Sequence, residues 1–126
     1  MKKILFLFIV TGLVWSCANN ETKPAVQENK TSQADPTTHP DYQKGFDLVA
    51  KSDCFSCHKT SEKLVGPAYA DVAKKYAGQP EMVDTLAQRI IKGSVGHWGQ
   101  VPMTPHPNVS VDDARAMVKF VMTLNQ

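Results

Sequence analysis

The sequence predicts an all-α domain of about four short helices, preceded by an export signal and a polar tether. Apolar residues recur at helical spacing in four segments of residues 40–126, and glycine or proline separates these segments. No alternation of apolar and polar residues is long enough to predict a strand. Because four short helices around a long loop make only a small core, we expect a further component at the centre of the fold.

The first three helices are predicted from apolar spacing and from the proline or glycine at their ends. Their predicted bounds are Asp41 to Ser52, Pro67 to Gly78 and Pro80 to Gly93. The residues expected to face inward are Tyr42, Phe46, Val49, Ala50, Ala68, Val72, Ala73, Tyr76, Met82, Val83, Leu86, Ile90 and Ile91.

The fourth helix follows a loop over residues 93–109 that is rich in glycine and proline. Ser110 is predicted to cap this helix, with Asp113 three residues later as the second half of a capping box. The residues expected to face inward are Val111, Ala114, Met117, Val118, Val121 and Leu124.

The composition argues against a nucleic-acid binder. The chain of 126 residues carries 14 basic and 12 acidic residues, a net charge of +2, without the strong basic excess of such proteins. Aromatic residues make up 8% of the sequence, too few to stack on single strands. Removal of Lys2 and Lys3 with the export signal would leave equal numbers of basic and acidic residues.

Residues 1–16 are predicted to be a signal peptide, because a short basic start precedes an apolar run too short to span a bilayer. The run ends in Ser16-Cys17, which resembles a bacterial lipobox. In that motif the cysteine is lipidated and becomes the first residue of the mature chain. The resemblance implies that Cys17 is a lipid anchor; ordinary secretion, with Cys17 free or removed, is the alternative.

The segment after the signal peptide, residues 17–39, is predicted to be the lipidated cysteine followed by a disordered tether. Val26 is its only large aliphatic residue, so the segment cannot bury enough apolar surface to offset the loss of chain entropy. As a coil, it would span about 25 Å. The domain organisation is therefore a signal peptide (1–16), a tether (17–39) and a helical domain (40–126).

Cys54-Phe55-Ser56-Cys57-His58 has the spacing of a c-type haem attachment site. Cys54 and Cys57 can each form a thioether to one vinyl group of a porphyrin, and His58 can ligate the iron. A thioredoxin-like redox motif would need a βαβ context, and a zinc site would need a second pair of ligands. A structural disulfide would explain neither His58 nor the small core. One covalent haem is thus the favoured cofactor and the missing central component.

An electron-carrying haem iron needs a sixth ligand. Met82, Met117 and Met122 lie in predicted helices, where methionine usually fills the core. Met103 lies in a loop that Pro102 and Pro105 stiffen, so it can meet the iron at little ordering cost. Met103 is the favoured ligand, and His97 and His106 are the alternatives.

These motifs together make residues 40–126 resemble a class I cytochrome c of the short bacterial type. The resemblance rests on the C-x-x-C-H motif, Gly66-Pro67-Ala68, the Gly/Trp loop of residues 93–99 and Val101-Pro102-Met103. It implies that Met103 is the sixth ligand and that Pro67 accepts a hydrogen bond from His58. It further implies that Trp98 packs beside the haem near a propionate; simple core packing is the alternative for Trp98.

The resemblance also implies that the first and last helices cross at a small residue. Gly45 is the expected contact, with Phe46 or Val49 meeting Phe120; the alternative is that Gly45 is a helix flaw costing about 1 kcal/mol.

The function that the resemblance implies is one-electron transfer between redox proteins of the bacterial periplasm or cell envelope, with no catalytic residues and no small-molecule substrate. A haem peroxidase, a haem-based sensor and an electron-delivering subunit of a larger complex are the alternatives.

Overall fold

The computed structural model describes residues 35–125 of the chain. Four α-helices form in this range: α1 (Pro40–Lys51), α2 (Tyr69–Lys75), α3 (Met82–Lys92) and α4 (Val111–Met122). Single 3-10 turns lie at Pro36–Thr38 and Cys54–Ser56. Within residues 35–125 the backbone forms no strand, only an isolated bridge between Ser94 and Met103, so the all-α prediction is confirmed.

The helices begin close to their predicted starts. Ser110 caps α4, since its hydroxyl accepts a hydrogen bond from the amide of Asp113 at 3.1 Å. The capping box is only half formed, because the Asp113 carboxylate accepts from the Ser110 hydroxyl instead of the Ser110 amide. Before α1, the imidazole of His39 accepts a hydrogen bond from the amide of Asp41.

Helix α2 begins two residues later than predicted. Pro67 does not open it, because Ala68 is extended, with φ −62° and ψ 145°. The amides of Tyr69 and Ala70 bond to the carbonyls of Lys59 and Thr60, which holds the start of α2 against the loop before it. The prediction that Pro80 opens α3 was also wrong, because residues 79–82 form a separate turn and α3 begins at Met82.

The core forms where α1 and α4 cross. Phe120 and Met117 of α4 are its largest fully buried side chains, and Val49 of α1 lies beside them. The rings of Phe46 and Tyr42 contact the Phe120 ring edge-on at 5.7 and 5.0 Å between centroids. The predicted meeting of Phe46 with Phe120 is confirmed.

Helix α3 packs on the other side of α4. Leu86 and Ala87 are buried there against Ala114 and Val118, together with Tyr76 from the end of α2. Methionine and isoleucine side chains of α3 pack partly buried around this cluster, as their helical spacing predicts.

Two of the inward-facing predictions need correction. Ala50 is exposed, and Leu48 packs on the α1 side of the core in its place. Val111 is 40% exposed, because it is the first residue of α4 and lies before the turn that meets α3. Conversely, Ala116 is buried although its position was not predicted.

The export signal, the Cys17 lipid anchor and most of the tether lie outside the described residues. At the end of the predicted tether, the structure describes one short turn. The Asp35 carboxylate accepts hydrogen bonds from the Thr37 amide and hydroxyl at 2.9 and 2.7 Å, which caps the turn Pro36–Thr38. None of the helices within residues 35–125 is long and apolar enough to cross a membrane.

Gly45 lies at the closest approach of α1 to α4. A Cβ atom at this position would collide with the Ala116 carbonyl oxygen and the Phe120 Cβ. Both atoms belong to the backbone or the root of a side chain, so neither can rotate away. The absence of a side chain at Gly45 therefore sets the helix crossing and is not a helix flaw.

We expect Gly45→Ala to lower the free energy of unfolding by about 1–3 kcal/mol, because overpacking at a helix crossing outweighs the gain in helix propensity. Denaturant unfolding of the haem-loaded protein measures this change. Lys44→Ala, at an exposed position of the same helix, is the matched control and should change stability by less than about 0.5 kcal/mol. A stabilised Gly45→Ala variant would contradict the crossing.

Candidate haem-binding site

The C-x-x-C-H motif forms a single tight turn after α1. The amides of Cys57 and His58 both bond to the carbonyl of Cys54, at 3.2 and 3.0 Å. Asp53 precedes the turn in the left-handed region, with φ 55°, and this conformation reverses the chain at the end of α1. The motif therefore presents three reactive side chains from one short, hydrogen-bonded segment.

Both cysteines of the turn are free thiols. Cys57 is exposed and Cys54 is half-buried, and burial raises the pKa of the Cys54 thiol. A disulfide between them, one of the alternatives from the sequence, is not formed. Both sulfur atoms are thus available for thioether bonds.

His58 is held in one orientation by a hydrogen bond to the backbone. Its Nδ1 lies 2.8 Å from the carbonyl oxygen of Pro67, the contact that the family resemblance implies. A carbonyl oxygen can only accept, so Nδ1 carries the proton. In the neutral ring this tautomer leaves the Nε2 lone pair available for a metal.

The imidazole of His58 is also fixed by its neighbours. The Tyr69 ring stacks on it at 5.2 Å between centroids and 14° between planes. On another side lies Gly66, where a Cβ atom would collide with the imidazole ring. The amide of Gly66 bonds to the carbonyl of Cys57 at 2.8 Å, which ties this glycine to the motif.

Met103 lies at the base of an irregular hairpin formed by residues 94–103. Its amide bonds to the Ser94 carbonyl at 2.8 Å, and the Ser94 amide bonds back to the Met103 carbonyl at 3.3 Å. Gly93 allows the two arms to meet, because a Cβ atom there would lie 2.6 Å from the Met103 carbonyl oxygen. The hairpin thus gives Met103 a defined backbone position.

The other methionines occupy different surroundings. Met117 is buried in the core, while Met82 and Met122 pack against the cluster between α3 and α4. They act as core residues, as predicted. Among the histidine alternatives, His97 is exposed at the tip of the hairpin, and His106 is half-buried with its amide bonded to the Ile90 carbonyl.

Trp98 lies at the hairpin tip beside α2. Its ring contacts Tyr76 edge-on at 6.5 Å between centroids, and the Lys75 ammonium lies 4.3 Å from the ring centroid. Trp98 remains 37% exposed, so it is not an ordinary core residue.

The residues of the two loops fit a covalently bound haem. The donor set consists of two free thiols, an imidazole whose Nε2 is available and a thioether in a structured loop. Large apolar side chains lie open to solvent in the segment between the C-x-x-C-H turn and α2 (Leu64 and Val65) and in the hairpin (Val95 and Val101), where they are 45–66% exposed. Exposure of this apolar surface to water is unfavourable. A flat apolar group bound to these loops would cover it.

Two features of the site were missed from the sequence. Tyr69 was not among the predicted inward-facing residues, although it stacks on His58 and is buried in the core. Its place directly after Gly66-Pro67-Ala68 was the available signal. Gly66 was noted only as part of a motif, and its close approach to the imidazole depends on tertiary structure.

Within residues 35–125, no group of three or more His, Cys, Asp or Glu side chains is arranged so that it could hold a metal ion.

Comparison with known proteins gives a consistent assignment. The cytochrome c-552 of Nitrosomonas europaea is 45% identical over 82 residues, covering 65% of this chain and 80% of that protein. The cytochrome c-552 of Hydrogenobacter thermophilus is 47% identical over 77 residues, covering 61% of this chain and 78% of that protein.

The folds agree as well. The crystal structure of wild-type N. europaea cytochrome c552 has 45% sequence identity and a TM-score of 0.61, and the match covers 64% of this chain and 99% of that one. A family model for cytochrome c matches residues 42–125, which include both loops of the site and all of α4. The chain belongs to the cytochrome c family.

Proposed function

We propose that this cytochrome c carries single electrons between redox proteins of the bacterial cell envelope, held near a membrane by a lipid on Cys17. The observation that carries the proposal is the hydrogen bond from His58 Nδ1 to the Pro67 carbonyl, which would leave Nε2 available to bind the haem iron. The family assignment supplies the cofactor: members of this family bind one haem c covalently.

Cys54 and Cys57 are the attachment points. The turn at Cys54–Ser56 brings both sulfur atoms and His58 onto one short segment. Two thioether bonds and one axial ligand from the same turn would fix the position of the haem relative to α1. Haem c supplies the one-electron chemistry when bound, because its iron is stable in both the ferric and the ferrous state.

His58 and Met103 are the two proposed iron ligands. Pro67, Gly66 and Tyr69 fix the orientation of the His58 ring, which would limit the rotational freedom lost on ligation. The Ser94 hydrogen bonds fix the backbone of Met103 in the same way. A thioether ligand favours the ferrous state and raises the reduction potential relative to two histidines.

Trp98 is proposed to line the haem near a propionate. The indole N–H of Trp98 can only donate a hydrogen bond, and an anionic carboxylate is a good acceptor for it. Its partial exposure and its position on the hairpin that carries Met103 support this role.

The anchor would act through effective concentration. A lipidated Cys17 followed by a polar tether would confine the domain to within tens of ångströms of the membrane surface, on the scale of about 25 Å for a coil of this length. The domain would then encounter electron donors and acceptors in the same membrane at a raised effective concentration, without any new binding contact. The proposed organisation is a signal peptide at 1–16, a lipidated Cys17 and tether to residue 39, and the cytochrome domain at 40–126.

We expect Met103→Ala to abolish the weak far-red charge-transfer band of the ferric protein, because this band reports sulfur-to-iron ligation. The reduction potential should fall by on the order of 0.1 V, since axial ligands dominate the potential of haem iron. Absorption spectroscopy and potentiometric titration measure the two effects.

The helical methionines provide the control for this experiment. Met117→Ala should cost about 2–5 kcal/mol of stability as a buried truncation, and Met82→Ala and Met122→Ala should cost less. All three should retain the band. If the band survives Met103→Ala and disappears in a helical variant, the ligand assignment is wrong; if the wild type lacks it, His97 or His106 replaces Met103.

We expect Cys17→Ala to convert a membrane-bound protein into a soluble one, because the acyl chains supply the membrane affinity. Fractionation of cells expressing the full-length chain, with and without detergent, measures the change. The haem spectrum of the soluble variant should equal that of the wild type. A wild-type protein that fractionates as soluble would contradict the anchor while leaving the electron-carrier function intact.

A further inference from the structure

We propose that Lys75 is a positioning residue that fastens the tip of the 94–103 hairpin to α2 and so keeps Met103 at the iron. The inference rests on the proposed function, because it takes Met103 as the sixth ligand.

The ammonium group of Lys75 makes two contacts with adjacent residues of the hairpin tip. It donates a hydrogen bond to the His97 carbonyl oxygen at 3.0 Å. It also lies 4.3 Å from the centroid of the Trp98 ring, within the range of a cation–π interaction. One side chain thus restrains both the backbone and the side chain of the tip, across 22 residues of sequence.

The hairpin can transmit this restraint to Met103. The amide of Gly96 bonds to the Gly99 carbonyl at 3.0 Å, which closes the tip, and the Ser94–Met103 pair closes the base. Because both ends are hydrogen-bonded, displacement of the tip from α2 strains the pair that contains Met103. Opening of the tip and withdrawal of Met103 are therefore coupled.

The helix that carries Lys75 is itself firmly held. Ala73 is fully buried, and Tyr76 is buried in the cluster between α3 and α4. The Tyr76 hydroxyl accepts a hydrogen bond from Arg89 of α3 at 3.0 Å. Lys75 thus connects the glycine-containing hairpin to a packed helix.

The expected effect is moderate, because Lys75 is exposed and water competes for its ammonium. Loss of a charged hydrogen bond together with an exposed cation–π contact should make the open hairpin about five- to tenfold more populated. An exogenous ligand binds the ferric iron only when Met103 has left, so its apparent affinity should rise by the same factor.

The experiment compares haem-loaded wild type with Lys75→Met, Lys75→Arg and Lys74→Met. Lys75→Met removes the charge and the donor but keeps the length, whereas Lys75→Arg keeps both a donor and a cation that stacks on aromatic rings. Lys74→Met is the matched control at the preceding exposed residue of α2. Two quantities are measured: the affinity of imidazole for the ferric protein, and the hydrogen-exchange rate of the Gly96 amide by NMR.

We expect Lys75→Met to raise both quantities about five- to tenfold, Lys75→Arg to restore them and Lys74→Met to leave them unchanged. Equal values for Lys75→Met and Lys74→Met would overturn the proposal. Faster Gly96 exchange with unaltered imidazole affinity would also overturn it, because the tip would then not control Met103.

The far-red band of the wild type separates this failure from failure of the proposed function. If the band is present and Lys75→Met has no effect, only the Lys75 proposal is wrong. If the band is absent, Met103 is not the ligand, and both the ligand assignment and the positioning role are rejected.

Discussion

Helices α1 and α4 can approach as closely as they do only because residue 45 carries no side chain; a Cβ atom there would meet the Ala116 carbonyl and the Phe120 Cβ. This approach places the Phe120 ring against the rings of Phe46 and Tyr42, and both of these rings meet it in T-shaped contacts. The remaining elements pack against α4, with α2 on one part of its surface and α3 on another. A shift of the α1–α4 crossing would therefore change the position of α1 relative to α2 and α3, which also pack on α4.

The crossing also determines where the haem-binding residues lie. Tyr69 contacts Phe120 in the core at 6.1 Å between ring centroids and stacks on His58 with the same ring. Phe55, inside the C-x-x-C-H turn, contacts both Phe46 and Tyr69 at about 6 Å. The proposed proximal ligand, His58, is thus attached to the helix crossing through aromatic contacts, and these contacts help to set its orientation. The hairpin of Met103 is positioned separately, by the close approach of Met103 to Gly93 at the end of α3 and by the hydrogen bond from Lys75 of α2 to His97.

The sequence was sufficient for features that depend on local patterns. Helical spacing identified four helices, Ser110 was recognised as a cap, and the C-x-x-C-H spacing pointed to haem. The sequence was insufficient for features that tertiary contacts determine. The start of α2 is delayed because Pro67 and Ala68 are extended against the preceding loop, and Val111 faces solvent because the helix begins at that residue. The roles of Tyr69 and Gly66 at His58, and of Lys75 at the hairpin, join segments that no spacing rule connects.

In the proposed electron carrier, His58 and Met103 together would hold the iron and leave no open position for an exogenous substrate. The visible spectrum of the reduced, matured protein with and without carbon monoxide tests this claim most directly. We expect the same spectrum in both conditions, because the proposed ligands would fill both axial positions, with the His58 ring held by Pro67 and the backbone of Met103 held by Ser94. Ready binding of carbon monoxide by the wild-type ferrous protein would contradict the account and favour a haem enzyme or a gas sensor.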